Sequence, residues 1–352
     1  MNSLDLYKEL INNCDTKSKI EKVILDFLAD SLDQTEYKLL TNRDKMIILR
    51  WEHSDVSPII LHFPIGDQNA ETILFSLHYD IHAQTVQTKV HGNFTSERGE
   101  KVYSRFGGAD DLSGVASVLV GLVEATKDKN ARRKYNVTVL ISGGEEYGSK
   151  GVTQLFGVYG SAIFYDLGKI TFDGCVVVDI NDRIGTYCSW GSALDLVRIF
   201  ADEQNIETLV DEYLDEFGER LRIKPVEIKN LGFNYSAKVH ARNYDEMNRK
   251  IAFIKRFASV PEQAHLAIPF DCRKSANHLL ERYRASTQKL GLTPKEYDKS
   301  LSLSDANVIA DRLKIPCVLF SSGVINAHTE YEFVYADDLE KNALIIKDFL
   351  LA

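Results

Sequence analysis

Two short runs constrain this chain most: Thr72-Ile73-Leu74-Phe75-Ser76-Leu77-His78 and Cys175-Val176-Val177-Val178-Asp179-Ile180. Each is nearly continuous in apolar residues, the pattern of a strand covered on both faces rather than one with a wet side. Such strands belong inside a layered α/β domain, with helices above and below a mixed or parallel sheet. Further β-type runs fit the same sheet: 46–51, 58–63, 136–142 and 317–320. Between them, Val115, Val118, Leu119, Leu122 and Val123 share one helical face. Ile20, Val23, Ile24, Phe27, Leu28 and Leu32 predict an earlier helix, and 337–351 predicts a closing amphipathic one.

The section from 186 to 299 reads differently. Leu194, Leu196, Val197, Ile199 and Phe200 predict the start of a helical stretch, followed by an acidic helix around 206–217. Two β-like runs (222–229 and 233–240) and a helix near 245–257 complete an α+β unit. The expected division is therefore a domain made of 1–185 plus 300–352, interrupted by an inserted section at 186–299.

Charge and cysteine content narrow the function. The formal net charge of −9 argues against a nucleic-acid binder, which normally shows a basic face. The most apolar stretch, Val115–Val123, is too short to span a membrane, and Asp5, Lys8 and Glu9 interrupt any secretory core at the start. Five scattered cysteines with no CxxC pair read as reduced thiols in a cytoplasmic protein.

Acidic and histidine motifs stand where strand character ends, the edge at which open α/β sheets bind ligands. His78-Tyr79-Asp80 closes the first buried run; with side chains two apart on one side, Asp80 can hydrogen-bond the far ring nitrogen of His78. Gly107-Gly108-Ala109-Asp110-Asp111 precedes a helix, where a helix cap accounts for one aspartate but not comfortably for two. Gly143-Gly144-Glu145-Glu146 pairs glutamates at a strand end, a costly arrangement unless a cation neutralises it. Asp179 ends a very apolar strand, and Ala327-His328-Thr329-Glu330-Tyr331-Glu332 lies near the C-terminus. Imidazole and carboxylate donors without thiolate point to zinc, with manganese or cobalt as alternatives.

In this order the motifs resemble the co-catalytic di-zinc exopeptidases, the group that includes di-zinc aminopeptidases, peptidase T and related dipeptidases and deacylases. The segments GADDLSGVA, GGEEYGSKG and the block from Ser304 to Lys341 carry the likeness, which extends over about 1–185 and 300–352. The resemblance implies a three-layer α/β/α catalytic domain with a mixed, mostly parallel sheet and a smaller inserted lid or dimerisation section. It implies two divalent metal ions per chain, most simply zinc: His78 and Asp179 on one, Glu146 and His328 on the other, and Asp110 bridging. Asp80 would orient His78, and Glu145 would be the general base for a metal-bridging hydroxide. The implied activity is removal of N-terminal residues from short peptides by a homo-oligomer. A metal-dependent carboxypeptidase or N-acyl amino acid deacylase is the alternative, and a non-catalytic binding protein on the same fold a third. His240 in the inserted section is open to two readings, a substrate-contacting lid histidine or a strand-end surface histidine.

Overall fold

The computed structural model describes residues 1–33, 36–39, 58–66, 70–81, 93–96, 99–103, 108–146, 148–156, 172–226, 234–297, 304–329 and 331–351. The run at 46–51, part of the run at 222–229, and Gly107, Tyr147 and Glu330 lie outside the described residues.

Four parallel strands form the centre of an eight-stranded sheet, in the order Tyr135–Ser142, Glu71–His78, Gly174–Ile180 and Cys317–Ser321. Ile59–Phe63 and Lys38–Leu39 extend one edge in antiparallel pairing. Thr186–Cys188 and Lys295–Glu296 extend the other. The near-continuous apolar runs occupy the middle because only there are both faces covered.

The pleat sorts the layers. Phe75 on the His78 strand meets Phe349 of the C-terminal helix Ala336–Leu350, so odd-numbered residues face that helix. Helix Ala109–Lys127 packs against the same C-terminal helix, close enough that Gly121 leaves no room for a side chain. Ser76, on the opposite face, bonds Asp305 at the start of helix Asp305–Leu313, which packs with the short helix Lys150–Phe156. The result is a three-layer α/β/α arrangement. Parallel alignment places His78 directly opposite Ser142, and Ser321 opposite Ile180, so the carboxyl ends share one edge.

A second core belongs to a four-stranded antiparallel sheet, ordered Arg222–Pro225, Tyr235–Ala241, Ala193–Phe200, Ser259–Ala267. Leu209 and Tyr213 from helix Glu203–Phe217, and Met247 and Ile254 from helix Tyr244–Ile254, pack with Val197, Ile199 and Val239. Leu194–Phe200, expected to be helical, is therefore the strand at the heart of this sheet. Its odd-numbered residues are all buried, but Leu194, Leu196 and Phe200 make the other face apolar too, so the sequence lacks the apolar/polar alternation that marks a strand. The short strands at 186–188 and 295–296 join the large sheet, and helix Asn277–Lys289 packs into the large core through Leu279, Leu280 and Tyr283.

Candidate metal centre

Strand ends assemble the site. His78 is the last residue of its strand and is buried. Two residues on, the Asp80 carboxylate accepts the backbone N–H of Glu145 and of Glu146, each at 3.1 Å. It also stands 3.5 Å from His78 Nδ1, so one carboxylate ties the histidine to the neighbouring loop. That loop folds back tightly: the Glu145 carbonyl accepts from Gly148 and Ser149 N–H, each at 2.9 Å. Gly144 (φ 77°) and Gly148 (φ 92°) occupy the left-handed region where a side chain is costly, which explains the glycines flanking the two glutamates.

Asp110 enters from the start of helix Ala109–Lys127, with non-helical backbone of its own. Its Oδ2 lies 3.1 Å from His328 Nε2 and accepts Asn181 Nδ2 at 2.8 Å, while its Oδ1 lies 3.4 Å from His78 Nε2. His328 Nε2 is also 2.8 Å from Glu146 Oε1. Asp179 Oδ1 stands 3.9 Å from His78 Nε2. All seven residues singled out in the sequence thus lie in one connected cluster.

Three sets of potential ligand atoms, each within 4.8 Å of one another, occur among the described residues: His78–Asp110–Asp179, Asp110–Glu146–His328 and His78–Glu145–Glu146. His78 Nε2 and Asp110 Oδ1 are buried there outside hydrogen-bond geometry, which suits atoms whose partner is a cation. The donors are the imidazole and carboxylate groups that zinc, manganese and cobalt accept. The residues fit a divalent-metal pair.

Electrostatics agree. Burial disfavours protonated His78, but the Asp110 and Asp80 carboxylates outweigh it and hold the imidazole pKa well above its usual value. Hydrogen bonds to Asp110 and Glu146 raise His328 to about 10. Burial, then repulsion from Asp179, pushes Glu145 well above an ordinary carboxyl, and burial with repulsion from Asp110 does the same to Asp179.

Two residues of the cluster had no role assigned from sequence. Glu332 is buried, and its carboxylate accepts Ala109 N–H at 2.7 Å, Asp110 N–H at 3.4 Å and His328 N–H at 3.0 Å. It therefore braces two candidate ligands at once; the only sequence signal was its place four residues after His328. Asn181, two residues after Asp179, supplies the amide hydrogen bond to Asp110. His240 lies apart, on strand Tyr235–Ala241 of the second core, where burial and nearby Lys238, Lys250 and Arg222 lower its pKa.

Fold and site together define a metal-dependent hydrolase. The chain matches the sequence profile of Peptidase family M20/M25/M40 over residues 74–352. It belongs to that family and is a metal-dependent peptidase. No curated protein matches it significantly. Among solved structures it is similar to the aminopeptidase PepT of Bacillus cereus ATCC 10987, at 19% identity over 99% of this chain and 98% of that one, with TM-score 0.70. A tripeptidase of Staphylococcus aureus subsp. aureus Mu50 is similar at 15% identity, 99% and 98% coverage and TM-score 0.71. A dinuclear metal-binding peptidase of family M20 from Bacillus subtilis is similar at 12% identity, 99% and 97% coverage and TM-score 0.66. At these identities the likeness is one of fold.

Proposed function

We propose that this peptidase removes N-terminal residues from short peptides, using two divalent cations, zinc by preference. His78 and Asp179 would hold one, Glu146 and His328 the other, with Asp110 between them. The observation that carries this reading is that two complete ligand sets share Asp110, each set compact to within 4.8 Å. When bound, the cation pair supplies Lewis acidity toward the scissile carbonyl and acidifies water at neutral pH.

The chain's own residues do the rest. Glu145 carries the proton from the attacking water to the leaving amine; burial and the Asp179 charge raise its pKa toward the range such a carrier needs. Asp80 fixes His78 through its ring Nδ1, leaving Nε2 directed at Asp110 and Asp179. Asn181 and Glu332 hold Asp110 by its carboxylate and its backbone. An aspartate at position 179 resembles the aminopeptidase and dipeptidase branches more than the carboxypeptidases that use a glutamate there, and the aminopeptidase and tripeptidase named among the similar folds are consistent with that likeness.

A substrate panel tests this. Hydrolysis of aminoacyl-anilides and free tripeptides, with N-acetyl amino acids left intact, is expected. Cleavage of N-acylated substrates alone would assign the protein to the deacylase or carboxypeptidase alternative.

The inserted unit, expected over 186–299, is proposed to be the narrower segment 193–267, whose residues supply the separate core. Phe200, Leu214, Tyr244 and Leu266 on it are exposed, which supports a role as the contact of a homo-oligomer. Sedimentation of a single species at monomer mass would refute that role. A reducing, cytoplasmic setting is proposed from five cysteines that are all free thiols. No described helix is long and apolar enough to cross a membrane.

A further inference from the structure

Asp305 is a carboxylate buried beneath the site with no place in the chemistry above. It is not needed as a helix cap, because Ser304 caps helix Asp305–Leu313 in a capping box with Asn307. Burying a carboxylate is costly, and its surroundings show what its oxygen does. Asp305 Oδ2 accepts Ser76 Oγ and Ser142 Oγ, each at 3.1 Å. Ser149 lies alongside the same carboxylate, short of hydrogen-bond geometry.

These serines are not scattered. Ser76 stands two residues before His78 on the same strand face. Ser142 is the register partner of His78 and the last residue before the Gly143–Gly148 turn. Ser149 leaves that turn with φ 53°, a left-handed backbone that a serine holds only when its surroundings fix it. Asp305 itself is rigidly placed. Asn307, on the same helical turn, accepts Ser304 N–H at 3.1 Å and donates to the carbonyls of Ser192 at 3.2 Å and Ile268 at 2.7 Å. Both crossings into the inserted unit are thereby pinned to the helix that carries Asp305.

We propose that Asp305 is a positioning residue for the turn bearing Glu145 and Glu146, clamping that turn to the strand that ends in His78. The proposal rests on the roles given to those three residues above. Its force is geometric: a displacement of about 1 Å in a catalytic constellation can cost on the order of 100-fold in rate.

The test compares Asp305→Ala with Asp305→Asn in the full-length protein loaded with cobalt. The alanine variant is expected to bind cobalt in wild-type amount, keep KM within about twofold and lose about 10- to 100-fold in kcat. Its visible cobalt bands should shift, because Glu146 is displaced. Asparagine can set its amide oxygen where Oδ2 stands and accept both serine hydroxyls, so it should recover most of kcat and the wild-type bands. Wild-type kcat and bands in the alanine variant, or failure of asparagine to recover them, would overturn the proposal. If the alanine variant does not fold, the Ser76→Ala/Ser142→Ala double variant takes its place with the same expected outcome. Absence of hydrolysis by the wild-type protein would refute the peptidase roles instead, and the cobalt bands would still decide on the clamp.

Discussion

Replacing Glu332 by glutamine gives the most quantitative test of how the candidate ligands are held. Burial and the neighbouring Asp110 charge raise the Glu332 carboxyl from 4.5 to about 7 in the folded, metal-free protein. A folded-state pKa above the unfolded one favours folding most below pH 4.5, and the advantage is lost as pH rises through about 7. At about 1.36 kcal/mol per pKa unit, that shift corresponds to roughly 3 kcal/mol. Glutamine does not titrate, so this pH dependence disappears. Its amide nitrogen must instead face a backbone N–H that Glu332 now accepts, at a pH-independent cost of about 1–3 kcal/mol. Urea unfolding of the chelator-stripped proteins reads both effects. At pH 4 the variant should be the less stable by about 1–3 kcal/mol, and by pH 8 the gap should move in its favour by about 3 kcal/mol. A gap that stays constant between the two pH values would refute the picture of Glu332 as a buried, titrating brace.

Glu145→Gln should retain two metals per chain by elemental analysis while kcat falls by about 10²- to 10⁴-fold, since only the proton carrier is lost. Loss of a metal from this variant would mean that Glu145 is itself a ligand, as the third ligand set allows. Metal binding must displace protons from His78 and His328, whose pKa values are raised, the latter to about 10. Zinc affinity should therefore strengthen as pH rises through the neutral range, with proton release detectable by indicator dye in weak buffer. In the metal-free protein, the stability His328 contributes is present below pH 6.5 and lost as pH rises through about 10. Gly121→Ala puts a Cβ 2.5 Å from the Ala343 carbonyl and 2.9 Å from Ile346 Cβ, forcing two packed helices apart. A lowered urea midpoint equivalent to about 1–3 kcal/mol is expected, with the site's metal content unchanged.

The parts legible in the sequence were those whose cause is local. Strands such as Gly174–Ile180 need apolar residues on both faces, so their runs announce themselves, and His78, Glu145, Glu146 and Asp179 follow from where those runs end. Leu194–Phe200 misled because apolar residues stand on both of its faces, Val197 and Ile199 on one and Leu194, Leu196 and Phe200 on the other, which hides the period of two. Ser259–Ala267, with Pro261, Glu262 and Gln263 in it, lacks apolar alternation and is a strand through its pairing with Ala193–Phe200. Glu332 reaches Ala109 and Asp110, and Asp305 reaches Ser76 and Ser142, across more than 160 residues of chain. Sequence spacing carries no record of such contacts, so Glu332 and Asp305 stayed silent while the candidate ligands stood out.

Metal stoichiometry against turnover tests the central claim most directly. The chelator-stripped protein is titrated with zinc while hydrolysis of an aminoacyl-anilide is followed. Two shared ligand sets predict no activity at the start and a rise that is complete at two zinc ions per chain. Full activity after exhaustive chelation, or saturation at a single ion, would contradict the paired site centred on Asp110.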